Sequence, residues 1–265
     1  MNPAPDIWNP KNYLIFASHR TRPAIDLLSR INIENPSSLI DLGCGAGNVT
    51  AILRQRWANA EITAIDNSPA MLEHAGEKYF DQKINWKLDD IDEWSLNKKG
   101  KKFDIVFSNA ALHWLGGHKN LFPRLMTRVN SGGMLAVQMP NNFSAPSHKL
   151  MAQTISDDPW AELLKDIAPP TPVAWPAAYK GWLHPLAKKI DVWETQYVQY
   201  FEGEDPVLKW ISGSWLAPVL ARLSGNMRES FIALYGQRLR DAYPPDADGR
   251  TVYKMRRTFI LALKD

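Results

Sequence analysis

The chain lacks the residues that would staple it covalently or carry it across a bilayer. It has a single cysteine, Cys44, so no internal disulfide can form and no thiolate zinc site can be built. No apolar run reaches the length of a membrane-spanning helix. Met1–Pro10 is polar and holds three prolines, so no signal-peptide core is expected there. Blocks of one charge are scarce too, because 31 basic and 28 acidic residues are spread along the chain and leave a net +3. The densest basic stretch, Lys98-Lys99-Gly100-Lys101-Lys102, reads as a solvated loop before a strand rather than a nucleic-acid surface. His19, His74, His118, His148 and His184 show no metal-ligand spacing. Asp89, Asp90 and Asp92 lack the turn glycine and distant glutamate of a calcium loop. No Ser-His-Asp arrangement is legible. A cytoplasmic globular protein without metal, nucleic-acid or membrane partner is expected; its oligomeric state is left open.

What is present is a rhythm. Short apolar runs at Ser38–Leu42, Glu61–Asp66, Ile84–Leu88, Phe103–Phe107 and Gly133–Met139 read as strands. Helical patterns at Asn48–Trp57, Ser68–Tyr79 and Asn120–Arg128 separate them, and Ser68-Pro69 marks a helix start. Strands alternating with helices imply a parallel sheet covered on both faces. Trp193–Phe201 and residues 257–263 add two late strands, and residues 205–243 read as two or three amphipathic helices. The fold class is therefore α/β: a Rossmann-like, doubly wound, seven-stranded, mostly parallel sheet with an α-helical cap over the active site. Eight of the 19 Pro and three of the 11 Trp lie between Pro140 and Pro185, which predicts irregular backbone with one or two short helices (Ser147–Ile155, Trp160–Ile167) and aromatic cover for a pocket. The expected layout is a single domain over 1–265. Its parts are an N-terminal lid at 1–29, a cofactor core at 30–139, and cap or substrate-binding insertions at 140–190 and 202–250.

The strongest local signal is Asp41-Leu42-Gly43-Cys44-Gly45-Ala46-Gly47-Asn48, directly after the first strand. Glycines at alternate positions let main chain turn tightly and approach a ligand with no Cβ in the way. The loop opens a helix, whose N-terminal N–H groups and dipole favour a negative group. A dinucleotide-binding loop would carry its third glycine where Asn48 stands, which weakens a nicotinamide reading. Asp66 ends the second strand about twenty residues further on, where an acid can accept both hydroxyls of a ribose. Cys44 is expected to fill space.

These residues, with Ile65-Asp66-Asn67-Ser68-Pro69-Ala70-Met71-Leu72 and Asp89-Asp90-Ile91, resemble the signature of class I S-adenosylmethionine-dependent methyltransferases. A closer resemblance is to the trans-aconitate methyltransferase family. It is carried by Trp8-Asn9-Pro10 with Tyr13 and Phe16, Arg20-Thr21-Arg22-Pro23-Ala24, Asn109-Ala110-Ala111-Leu112-His113-Trp114-Leu115 and Leu135-Ala136-Val137-Gln138-Met139-Pro140-Asn141-Asn142, and more loosely by Arg257-Thr258-Phe259-Ile260. The resemblance implies S-adenosyl-L-methionine as cofactor. Asp41, Gly43, Cys44, Gly45 and Gly47 would face its methionine half, Asp66 its ribose, Asn67 and Met71 its adenosine. Asp90 and Ile91 would hold the adenine, Asn109 and Ala110 would line the methionine end, and Arg20 would grip the cofactor carboxylate. It implies methyl transfer to a carboxylate of a small polycarboxylic acid, trans-aconitate first, with Tyr13, Arg22, His113, Trp114, Gln138 and Arg257 on the substrate side. Another small-molecule or carrier-bound carboxylate is the alternative acceptor, and a nicotinamide-dependent oxidoreductase the alternative from a different class.

The chemistry fits the scarcity of catalytic groups. A carboxylate, with a pKa near ~4, is already ionised at neutral pH and needs no base. No catalytic residue is therefore assigned; His113 and Tyr13 are expected to position the acceptor. Arginine suits a carboxylate because its planar fork pairs it at two points. Arg256 and Arg257 are neighbours on a strand, so one of them faces the pocket, and the family pattern favours Arg257.

Overall fold

The computed structural model describes residues 17–97, 99–167 and 173–265. Tyr13, the Trp8-Asn9-Pro10 motif, Phe16 and Lys98 lie outside the described residues.

Seven strands form one sheet in the order β3-β2-β1-β4-β5-β7-β6. They are β1 (Ser38–Leu42), β2 (Glu61–Asp66), β3 (Ile84–Leu88), β4 (Phe103–Asn109), β5 (Val129–Pro140), β6 (Lys189–Phe201) and β7 (Thr251–Leu263). β1 pairs in parallel with β2 and β4, β2 with β3, and β4 with β5; β7 runs antiparallel to β5. Every residue of β1 is buried, as a strand covered on both faces requires. The order reverses between β1 and β4, and the carboxyl ends of these strands are where open sheets of this kind bind ligands.

The chain divides into two compact units. The first holds described residues 17–140, 173–195 and 257–265, hence most of the sheet. Its helices are α1 (Ala17–Ser29), α2 (Asn48–Arg56), α3 (Pro69–Lys78), α4 (Ile91–Leu96), α5 (His118–Thr127) and α8 (Pro176–Leu183). α1 packs on β5 and α2, α3 on β2 and β3, and α8 on α5. Residues 173–195 count with this unit because α8 lies on α5 and the Trp193 ring stacks on Phe259, centroids 4.7 Å apart.

The second unit holds residues 141–167 and 196–256. It contains α6 (Pro146–Ile155), α7 (Ala161–Leu164), α9 (Pro206–Ser212), α10 (Leu216–Arg222) and α11 (Gly225–Ala242). α11 runs along α6: the Tyr235 hydroxyl donates to the Ser147 carbonyl, and Arg238 bonds Thr154 and Asp157.

The stretch after Pro140 is more helical than its proline content predicts. Pro146, Pro176 and Pro206 stand in the first turn of their helices, where a missing N–H costs nothing, so they start helices instead of breaking them. Its aromatics serve packing in several cases. Trp160 is buried and donates its indole N–H to the Met227 carbonyl, and Trp182 meets Tyr179 edge to face. Trp175, by contrast, is 75% exposed.

Candidate active site

The glycine loop is built by two kinds of necessity. Gly43, Gly45 and Gly47 all take left-handed φ, at 74°, 53° and 78°. A Cβ on Gly43 would collide with the Cβ of Ala111, and Ile91 Cδ1 lies beside the same point. A Cβ on Gly47 would meet Trp86 at 2.7 Å and Ala75 at 3.0 Å. Gly45 differs: among the described residues no atom stands within 4 Å of where its Cβ would be. Packing demands two of the glycines, and the third borders open space.

Asp66, at the end of β2, accepts hydrogen bonds from the Gly45 N–H at 2.8 Å and the Ser68 N–H at 2.9 Å. It thus holds the loop's open corner in place. The N–H groups of Gly43 and Cys44 both bond the Ile65 carbonyl, which fixes the loop's first half to β2. Ser68 caps α3 by accepting from the Met71 N–H, so the expected helix start is found. Asn67 is exposed, whereas Met71 is buried in the first turn of α3. Asp90 caps α4 through the N–H groups of Asp92 and Glu93, which places Ile91 against Gly43.

Asp41 is 2% exposed beneath the loop and accepts from Thr50 Oγ1 at 2.7 Å. Burial, partly opposed by the Thr50 bond and reinforced by the Asp66 carboxylate, pushes its carboxyl up to about 7. Cys44 is buried, and that burial together with the two carboxylates holds its thiol well above its usual range, so it fills space unreactively.

After β4 the chain turns through Ala110, a non-glycine residue at φ 55°. Such a conformation costs about 1 kcal/mol or more. It is anchored by the Ala110 N–H donating to the Gln138 carbonyl at 2.9 Å. The next residue, Ala111, is the one that leaves no room at Gly43. A single 3₁₀ turn follows, Leu112–Trp114, carrying the buried imidazole of His113 and the indole of Trp114 with ring centroids 5.0 Å apart.

Register places three further expected residues on one face of the sheet. Asn109 is paired with Gln138, and Pro140, two positions on, is paired with Arg257. Gln138 is fully buried, and neither its Nε2 nor its Oε1 has a partner among the described residues; Asn109 Oδ1 has none either. Burying such an amide without a partner costs about 1–3 kcal/mol. Arg257 is 7% exposed, while its neighbour Arg256 donates its Nε–H to the Asn141 carbonyl, so the two alternate as expected.

On α1, Thr21 accepts from the Asn48 side-chain amide at 3.2 Å, bringing this helix to the start of α2. Arg20 is half-buried there and Arg22 exposed. Among the described residues no group of His, Cys, Asp and Glu could hold a metal ion, and no helix is long and apolar enough to cross a membrane.

Sequence reading missed Ala111, the left-handed Ala110 and the Thr50 bond. An alanine carries no signature of the space it denies, and a strained φ leaves no trace in residue type.

Known proteins resemble this chain in sequence and in fold. A methyltransferase-domain family profile matches residues 39–133, from β1 to β5. The structure of a putative sarcosine dimethylglycine methyltransferase from Galdieria sulphuraria superposes with a TM-score of 0.55 at 12% identity, covering 97% of this chain and 92% of that one. A phosphoethanolamine N-methyltransferase of Haemonchus contortus, solved with S-adenosyl-L-methionine, gives 0.54 at 14%, covering 96% and 56%. These likenesses extend the fold beyond the matched domain. The chain is an S-adenosylmethionine-dependent methyltransferase, which sets the nicotinamide alternative aside. A trans-aconitate 2-methyltransferase of Mycobacterium tuberculosis is 41% identical over 258 residues, 97% of this chain and 96% of that protein; one from another Mycobacterium species is 41% identical over 97% and 99%. This chain belongs to the trans-aconitate 2-methyltransferase family.

The glycines separate packing from ligand space in a measurable way. Gly43→Ala meets both a collision and a left-handed alanine and should lose about 2 kcal/mol or more of stability. Gly45→Ala incurs only the left-handed strain, about 1–2 kcal/mol, yet puts a methyl into the open corner. Thermal melts with calorimetry of S-adenosylhomocysteine should therefore show Gly43→Ala as the less stable variant. Gly45→Ala should lose more affinity than its stability loss explains; the opposite ranking would contradict this division.

Asp41 yields a pH dependence. A carboxyl whose folded pKa exceeds its unfolded value takes up a proton on folding. Its contribution is therefore full below about pH 4 and is lost as pH rises toward about 7. Urea unfolding of the cofactor-free protein across that window should decline less steeply in Asp41→Asn than in the wild type. Parallel curves would mean that Asp41 stays ionised throughout.

Proposed function

We propose that this methyltransferase esterifies a carboxylate of a small polycarboxylic acid, with trans-aconitate the lead acceptor and its monomethyl ester the product. The observation that carries the reading is the buried amide of Gln138, without a partner among the described residues, in register with Asn109 and on the same sheet face as the buried Arg257. Polar groups hidden at such cost call for a polar ligand. The relatives are trans-aconitate 2-methyltransferases, and trans-aconitate is a tricarboxylic acid whose several carboxylates would supply it.

The cofactor fits the residues present. Open space beside Gly45 admits a chain close to the backbone, with the Asp66 carboxylate at its edge. In this reading Gly43, Cys44, Gly45 and Gly47 with Asp41 shape the methionine end, together with Asn109 and Ala110. Asp66, Asn67, Met71, Asp90 and Ile91 serve the nucleoside, and Arg20 the cofactor's carboxylate. When bound, the cofactor supplies an electrophilic methyl on a cationic sulfur. The protein's part is to bind, orient and dehydrate the acceptor. Arg257 and Arg22 pair carboxylates that do not react. Gln138 and His113 donate hydrogen bonds that aim the reacting oxygen, and Trp114 shapes the floor. Tyr13, assigned to the same role, lies outside the described residues. No side chain needs to take a proton, since the acceptor arrives ionised.

Incubation with labelled cofactor and a panel of polycarboxylates, amines and phenols tests the acceptor class. Base-labile label should form on polycarboxylates, trans-aconitate above all; label confined to amines or phenols defeats the reading. Gln138→Leu gives a sharper test. Removing an unpartnered buried amide should raise stability by about 1 kcal/mol while raising acceptor KM on the order of tenfold, the loss of one such bond. Arg257→Ala should raise acceptor KM at least as much and leave the cofactor Kd within about twofold. Equal changes in both constants would place Arg257 in general support of the fold.

A further inference from the structure

His118 begins α5 directly after Gly117, at φ 66°, and is 5% exposed. Its Nε2 lies 2.9 Å from the Leu112 carbonyl, its Nδ1 2.7 Å from the Tyr179 hydroxyl. That hydroxyl also accepts from the Ala174 N–H at 3.1 Å. The two ends fix the sense of the whole chain. A carbonyl only accepts, so Nε2 carries the ring proton and Nδ1 is the acceptor. Tyr179 therefore donates to Nδ1 while its lone pair takes the Ala174 N–H. All four groups are satisfied in the neutral state alone. Burial lowers the His118 pKa and raises that of Tyr179, in keeping with such a chain.

The linkage ties the turn Leu112–Trp114 to the start of α5 just after it, and ties both to the helix α8, distant in sequence. Apolar rings surround it, with Phe122 5.4 Å from His118 and 4.7 Å from Tyr179. Neither residue belongs to the loop, the sheet face or the arginines described above. The 3₁₀ turn makes local bonds, Trp114 N–H to Ala111 and Leu115 N–H to Leu112, and one turn of this kind is weakly self-supporting. It leaves β4 through the strained Ala110, so its place is set from outside.

We propose that His118 and Tyr179 are positioning residues, whose buried hydrogen-bond chain fixes the Leu112–Trp114 turn and so the aim of His113 at the acceptor. This rests on the reading of His113 as an acceptor contact. The chain works at one remove, through a main-chain carbonyl, and touches neither substrate nor cofactor.

The test uses three variants of the full chain. His118→Gln keeps an N–H donor near the Nε2 position. His118→Asn keeps an acceptor near Nδ1 but cannot reach Leu112, and Tyr179→Phe removes the hydroxyl that orients the ring. Hydrogen exchange of the amides between residues 110 and 118, read on the cofactor-free protein, should speed up about tenfold in His118→Asn and Tyr179→Phe and stay near wild type in His118→Gln. Acceptor KM, with trans-aconitate as probe, should rise about tenfold in the same two variants, with S-adenosylhomocysteine Kd within about twofold, and recover mostly in His118→Gln. Equal exchange in all three variants, or KM and Kd moving together with melting temperature, overturns the proposal. His113→Ala separates the two ways of failing. An acceptor KM unchanged there and in His118→Asn removes the turn from the acceptor site. A KM raised in His113→Ala but unchanged in His118→Asn and Tyr179→Phe removes the hydrogen-bond chain alone.

Discussion

The site depends on one close approach: the main chain at Gly43 lies against Ala111, so near that no Cβ can stand between them. This contact makes the loop after β1 and the turn after β4 a single object. The sheet brings the two strand ends side by side, as β1 and β4 pair directly at the point where strand order reverses. From there the consequences run outward. Ala111 can reach Gly43 because Ala110 bends left-handed, and Ala110 holds that bend because its N–H is captured by Gln138 on β5. On the other side Ile91 closes over the same glycine, placed there by the Asp90 cap of α4. Four strand ends thus share one junction, and moving any of them reshapes the floor of the proposed cofactor site.

Unfavourable features collect at this junction and are rare elsewhere in the sheet. Asp41 is buried where its charged form is disfavoured, Ala110 is strained, and the amides of Gln138 and Asn109 hide polar atoms without partners among the described residues. Each subtracts from stability, and together they amount to several kcal/mol, set against a sheet in which β1 is wholly buried. A protein selected for stability alone would replace Gln138 by leucine and Ala110 by glycine. These residues stand at the carboxyl ends of β4 and β5, where open sheets of this kind bind ligands, which ties their cost to the proposed site.

The seven strands were legible because runs of five to nine residues rich in apolar side chains were set off by helical periodicity, and Asp41 through Asn48 announced the tight glycine loop after β1. Strand ends were less legible: β4 runs on to Asn109 and β7 begins at Thr251, since a polar residue at a strand end looks like a loop. α8 was missed because Pro176 and Trp175 suggested irregular chain, although a proline in the first turn is a helix start. At the site, charged and amide residues stood out by type, and register gathered Asn109, Gln138 and Arg257 on one face. What stayed hidden acts by absence or by backbone: the methyl of Ala111 excluding a Cβ, the φ of Ala110, the carbonyl of Leu112 held by His118. None of these has a residue-type signature, because the interacting atom is main chain or a bare methyl.

The proposed methyl transfer to an ionised oxygen would place a demand that this architecture answers in kind. With no proton to move, an enzyme gains rate by fixing an approach line and keeping water away, and effective concentration falls off steeply with small errors of position. Rigidity at the acceptor side then matters more than any pKa. The groups proposed to meet the acceptor come from different supports. Gln138 and Arg257 sit on paired strands, where register sets their place to within a residue spacing. His113 sits on one 3₁₀ turn and cannot draw the same precision from its own backbone. The buried relay through His118 and Tyr179 supplies what that turn lacks, borrowing the stiffness of two helices through two side chains that never meet the substrate.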